Sequence, residues 1–246
     1  MAGTSYPFER YVNVRAAHGA SFSPDGAYIS FLTDMTGVME VWRTPVDRHA
    51  ARPAWPEQVT FRGERATSAE YSPTDDRLLI VGDTNGAERY QLYVAGGDGE
   101  TFADLSEQPE VVHQFGGWSP DGRRYCYASN ARNSRFFDVY ERAIAGGEPR
   151  LALRHDGTNY AAGYSPDGTA LLVERHHSNT QTTLLLVTLA TGEARALTPE
   201  EPERPAEYQH PCWDGAGKGI YLATNAGRDA LTLAWLDIAT GALTYL

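Results

Sequence analysis

A turn motif led by an aromatic residue recurs five times: FSPDG from Phe22, YSPTD from Tyr71, WSPDG from Trp118, YSPDG from Tyr164 and WDGAG from Trp213. The spacings are 49, 47, 46 and 49 residues. Other residues keep the same phase. Tyr93, Tyr140, Leu186 and Trp235 each stand 22 residues after the aromatic of their own copy, Trp42 stands 20 after Phe22, and Gly99, Gly146, Gly192 and Gly241 stand 28 after. YASNAR from Tyr127 and LATNAG from Leu222 match as well. A fixed period of this length marks stacked supersecondary units, each too small to bury its own apolar surface.

Each copy reads as four short strands. In Ser-Pro-Asp-Gly, proline fixes φ at the first central position of a turn, aspartate suits the second, and glycine accepts the positive φ at the exit. Apolar runs too short for a comfortable helix follow: AYISFL, RLLIV, RYCYA, ALLVE and GIYLA. A polar loop leads to EVWRT, QLYVA, FDVYE, LLLVT and LAWLD, and a glycine turn to a fourth, shorter strand. The strands are apolar on both faces, as small sheets sandwiched between neighbouring sheets must be. Helical repeats would need long 3.6-period stretches, whereas Pro and Gly punctuate this chain throughout. The expected fold is all-β: a β-propeller of four-stranded blades, five repeats of about 47 residues, with blades near 16–62, 63–108, 109–155, 156–200 and 201–246 after an N-terminal segment, 1–15. YPFERYVNV, in that segment, is a candidate for closing a five-bladed ring.

The phrases GASFSPDGAYISFLTD, VWRTPV, WPEQVTF, FGGWSPDGRRYCYASN, FFDVYER and ATGEARALTPEE together resemble the N-terminal propeller of the prolyl oligopeptidase family of serine peptidases, on its acylaminoacyl-peptidase-like, dipeptidyl-aminopeptidase-like branch. The resemblance covers essentially the whole chain; SPTDD at Ser72 and WDGAG at Trp213 depart from the turn motif. It implies a larger propeller, of about seven blades, that gates and orients short peptides for a C-terminal α/β-hydrolase domain not contained in this sequence. That family's nucleophile elbow, G-x-S-x-G, is absent. The nearest strings, Gly117-Trp118-Ser119-Pro120-Asp121 and Gly163-Tyr164-Ser165-Pro166-Asp167, are copies of the turn, so no catalytic residue is assigned.

Charge and composition narrow the partners. A formal net charge of -11 repels phosphate backbones and anionic lipid, which argues against nucleic acid and membrane surfaces. No segment approaches the roughly 20 apolar residues of a membrane span, and MAGTSYPFERYVNVR has no signal-peptide core, so a cytoplasmic location is expected. Cys126 and Cys212 lack metal-ligand spacing and are expected to be buried free thiols. No cofactor and no metal is implied. His176 and His177, with His155 nearby, are expected in a solvated loop, since neighbours on a strand point to opposite faces. The acidic stretch PEEPERPAE from Pro199 is expected to be a solvated loop too.

If this chain touches substrate, the innermost strand of each blade, just before the turn, is where it should do so. His18, His113, Tyr160, Tyr208 and His210 are the candidates there, with packing or hydrogen bonding within the strand as their commoner role. A different class of function stays open: a stand-alone TolB-like or WD-like scaffold that presents loops to a protein partner. A glycan- or small-molecule-processing propeller lacks a convergent carboxylate set. An open blade edge would favour self-association.

Overall fold

The computed structural model describes Phe8 and residues 15–46, 54–200 and 203–246; YPFERYVNV otherwise lies outside them. Among the described residues twenty strands follow one another. Blade 1 holds β1 (Ala17–Phe22), β2 (Tyr28–Thr33), β3 (Glu40–Pro45) and β4 (Glu57–Gln58). Blade 2 holds β5 (Ala66–Tyr71), β6 (Leu78–Gly82), β7 (Gln91–Ala95) and β8 (Phe102–Asp104). Blade 3 holds β9 (His113–Trp118), β10 (Arg124–Asn133), β11 (Phe136–Ala143) and β12 (Arg150–Leu153). Blade 4 holds β13 (Thr158–Tyr164), β14 (Ala170–Ser178), β15 (Gln181–Thr188) and β16 (Ala194–Ala196). Blade 5 holds β17 (Tyr208–Trp213), β18 (Gly219–Thr224), β19 (Thr232–Asp237) and β20 (Leu243–Tyr245). Within a blade the strands run in sequence order, and a single parallel bridge, Phe137 to Thr158, ties blades 3 and 4 into one eight-stranded sheet. Two compact units result: one of β1–β6, β8 and the part of β7 from Tyr93, the other of Arg89–Leu92 and β9–β20.

The repeated turn is a small hydrogen-bonded machine. In blade 1 the Ser23 hydroxyl donates to Asp25 Oδ1 (2.6 Å) and accepts the Tyr28 N–H (2.9 Å), while Asp25 Oδ1 accepts the Ala27 N–H (2.9 Å). The same set recurs around Ser119 and Asp121, and around Ser165 and Asp167. The two departures keep the ring closed. Ser72 N–H still reaches Arg77 O (2.7 Å) while Asp75 takes the Arg77 N–H, and in blade 5 Asp214 alone accepts the N–H groups of Lys218 and Gly219.

These bonds favour ionised aspartate. The Ser23, Ser119 and Ser165 hydroxyls, then backbone N–H groups, hold Asp25, Asp121 and Asp167 below the usual carboxylate range. A carboxyl depressed on folding stabilises the fold at pH above the unfolded value, about 3.9, and the contribution is lost as pH falls through the lower folded value. Melting temperature is therefore expected to fall as pH drops from about 5 towards 2, and the double variant S119A/S165A to show a flatter decline in calorimetry at matched pH values.

The cores lie between neighbouring sheets. In the first unit Leu32 and Val41 of blade 1 pack with Ala69, Tyr71, Leu78 and Ile80 of blade 2. In the second, successive residues of β14 feed two different cores: Leu171 and Val173 join Cys126, Val139 and Leu153 of blade 3, while Leu172 joins Tyr208, Ile220, Leu222 and Leu236 of blade 5. Period-2 alternation sends neighbours to opposite faces, and both faces here are buried, which is why the strand reads as one apolar run. Inner strands come close: a Cβ on Gly116 of β9 would lie 2.4 Å from the Ala161 Cβ of β13, so no larger residue fits.

Between blades 3 and 4 the packing includes buried charge. Asp138, fully buried, accepts the Arg132 guanidinium through Nε (2.5 Å) and Nη2 (2.9 Å), and the His155 N–H reaches the same carboxylate. Glu141, also buried, is paired with Arg150 Nε at 2.7 Å and receives the Tyr164 hydroxyl at 3.3 Å.

Candidate functional site

Every inner strand departs from regular register close to its turn: β1 between His18 and Ser21, β5 between Ala66 and Ser68, β9 at Gly116, β13 between Ala161 and Tyr164, and β17 between Gln209 and Cys212. Bulges re-aim side chains at such places. In β1 and β17 the bulge falls three residues before the aromatic, on Gly19 (φ 67°) and His210 (φ 51°). His210 thus holds a left-handed conformation that its counterpart fills with glycine, at a cost of about 1–2 kcal/mol. H210G is expected to raise stability by about 1 kcal/mol in chemical denaturation.

The structure divides the five inner-strand candidates. Tyr160 and His210 line one cavity of about 650 Å³, which opens between blades 4 and 5 at the ends of the strands away from the SPDG turns. His113 is buried elsewhere, in a tyrosine-rich cavity of about 270 Å³, its ring 5.7 Å from that of Tyr127. Tyr208 is part of the core between blades 4 and 5, and its N–H donates to Thr182 Oγ1 at 2.6 Å. His18 is exposed on β1.

The larger cavity is built from β13, β14, β15 and β17. Opposite one another in register, Tyr160 and Glu174 share a face, and Thr158 and Thr182 flank His176. The His176 ring packs 5.2 Å from Tyr160, and its Nε2 lies 3.4 Å from Glu174 Oε2. Phe137 meets the Tyr160 ring edge-on at 5.3 Å. Burial pushes the Tyr160 phenol above its ordinary range, so it is a neutral hydroxyl at any physiological pH. From β17 come Glu207, Gln209 and His210, the Gln209 amide donating to Glu207 Oε2.

Two expectations need correction. His176 and His177 lie on β14, not in a loop, because the β14–β15 hairpin stays paired out to Ser178 and Gln181. A register irregularity between His176 and Ser178 turns His177 towards the same cavity, where its Nε2 meets Thr183 Oγ1 at 3.0 Å and its Nδ1 lies 3.5 Å from Glu200. His155 stands apart from them, its N–H on Asp138. Cys126 is buried, but Cys212 is exposed, because it sits opposite Tyr221 on the outward face of blade 5. Among the described residues no group of three or more His, Cys, Asp and Glu side chains is placed to hold a metal ion. Ser119 and Ser165 spend their hydroxyls on their own turns.

Glu174 lies on a second strand, outside the inner-strand candidates, although the repeat itself carries a signal for it. Ten residues after the aromatic the other copies have Leu32, Val81, Ala128 and Ala223. A carboxylate at a position that is otherwise apolar is the informative kind of exception.

No family model matches the chain. Over 228 residues, 91% of its length, it is 28% identical to dipeptidyl aminopeptidase BIII of Pseudoxanthomonas mexicana, and covers 32% of that relative. The chain therefore spans about a third of that curated relative. The propeller domain of the Trilobed protease from Pyrococcus furiosus superimposes with a TM-score of 0.66 at 15% identity, over 94% of this chain and 68% of that one. A putative TolB from Agrobacterium tumefaciens gives 0.71 at 18%, over 94% and 80%. The fold is that of a propeller domain, and the resemblance to propellers of prolyl oligopeptidase-family peptidases holds along nearly the whole chain. No helix of the described residues is long and apolar enough to cross a membrane.

Proposed function

We propose that this chain is the substrate-gating portion of a prolyl oligopeptidase-family serine peptidase that hydrolyses short peptides. In this reading it contributes blades to a propeller of about seven, and its partner is an α/β-hydrolase domain carrying the serine nucleophile. The observation that carries the reading is the likeness to dipeptidyl aminopeptidase BIII, which runs through 91% of this chain yet accounts for only 32% of the peptidase. The chain's own contribution is steric and positional. Rigid blades exclude folded proteins, and side chains at the blade ends hold a peptide while chemistry happens elsewhere.

Burial supports further blades. Eight residues after the aromatic stand Ser30, Leu79, Cys126, Leu172 and Tyr221; the first four are fully buried, while Tyr221 is 43% exposed. Leu184, at 0%, has Leu233, at 55%, as its blade 5 counterpart. The outward face of blade 5 thus carries the apolar pattern of a covered face without a cover among the described residues. Two free thiols, Cys126 and Cys212, accord with a reducing, cytoplasmic compartment.

Reading the coding sequence past Leu246 tests this: a G-x-S-x-G elbow followed by Asp and then His is expected. An immediate stop codon would remove the basis for a gating role. It would instead favour a self-contained TolB-like scaffold for a protein partner, the reading that the 80% coverage of the putative TolB supports.

A further inference from the structure

We infer that the cavity between blades 4 and 5 is a binding site for an organic cation, a primary ammonium or guanidinium carried on a flat or apolar stem. Its volume, about 650 Å³, falls in the range of small-molecule sites. Glu174 and Glu207 line it, Glu200 stands beside His177 at its edge, and among the described residues no lysine or arginine lines it. Arg175 of β14 donates its Nε to Asn159 Oδ1 at 2.9 Å and feels the charge of Glu200, and among the described residues Glu174 pairs only with the His176 ring, Nε2 to Oε2 at 3.4 Å.

The fold does not ask for this polarity. Between blades 3 and 4 the position equivalent to Glu174 is Ala128, fully buried. Partly burying a carboxylate there costs solvation that an apolar residue would not lose, and a bound cation offsets that cost. The wall beside it is aromatic: Tyr160 stands opposite Glu174 in the sheet, braced by Phe137 and His176, and an aromatic face next to a carboxylate is a good seat for an ammonium or guanidinium. The Gln209 carboxamide and the Thr158 hydroxyl supply neutral hydrogen-bonding groups around them, while the Thr182 hydroxyl is held by the Tyr208 backbone.

Calorimetric titration of the 246-residue chain with benzylammonium chloride, and with benzyl alcohol as the neutral isostere at equal ionic strength, tests the site. Saturable benzylammonium binding is expected, with the alcohol at least about tenfold weaker, and E174Q is expected to lose about tenfold or more in benzylammonium affinity while its melting temperature stays unchanged. N-acetyl-arginine amide separates the sources: tighter binding than benzylammonium identifies a peptide side chain as the ligand, weaker binding a free amine. Equal binding of the alcohol, no saturable binding of either cation, or an E174Q variant with undiminished affinity overturns the inference. None of these readouts depends on a hydrolase domain, so the site and the peptidase reading stand or fall separately.

Discussion

Replacing Arg132 by alanine is expected to destabilise the fold by about 3–5 kcal/mol, among the largest effects of any single change in blade 3. Asp138 is fully buried, and Arg132 supplies two of the hydrogen bonds that make its charge tolerable there. Removing the guanidinium leaves a carboxylate in the interior with only the His155 N–H. Lysine at 132 keeps the charge but not the two-pronged geometry, so R132K should fall between the two. The double variant R132A/D138N discriminates the mechanism: if an uncompensated buried charge is the cause, neutralising Asp138 recovers part of the loss. A double variant no more stable than R132A would place the cost in packing instead. Urea denaturation of the four proteins measures all of this.

Leu172→Ala is expected to cost about 2–5 kcal/mol, through lost burial and the cavity left between blades 4 and 5. Leu172 is fully buried against Tyr208, Ile220 and Leu222. The informative control is Tyr221→Ala, the same repeat position in blade 5, which in this 246-residue chain should cost less than about 1 kcal/mol because Tyr221 is 43% exposed. In a longer protein whose next blade covers Tyr221, the cost should rise towards that of Leu172. Hydrogen exchange on both lengths of chain reads the same cover directly, as slowed exchange of the β18 and β19 amides.

The strands and turns were legible because their signals are local and repeated. Ser-Pro-Asp-Gly specifies its own hydrogen-bonded ring, and even Asp214, without the serine and proline, closes it. The double-sided apolar runs were legible as inter-sheet strands, and Leu171, Leu172 and Val173 show the reason residue by residue. The cavity was only half visible. Tyr160 and His210 followed from their place on inner strands, but Glu174 and His176 belong to a second strand, and their meeting with β17 depends on how two sheets splay apart. The bulge that seats His177 on the same cavity left no sequence mark, because no glycine or proline accompanies it. Tyr208 looked like a channel residue and is core, since the one-residue register that decides its face is set by the bulge at His210.

A fluorophosphonate probe applied to the native protein that carries this chain, followed by mass spectrometry of the labelled polypeptide, tests the gating role most directly. One labelled serine is expected, in a G-x-S-x-G peptide, on the same polypeptide as the SPDG repeats and at a total mass well above 27.0 kDa. A native polypeptide of 27.0 kDa that takes no label would contradict it.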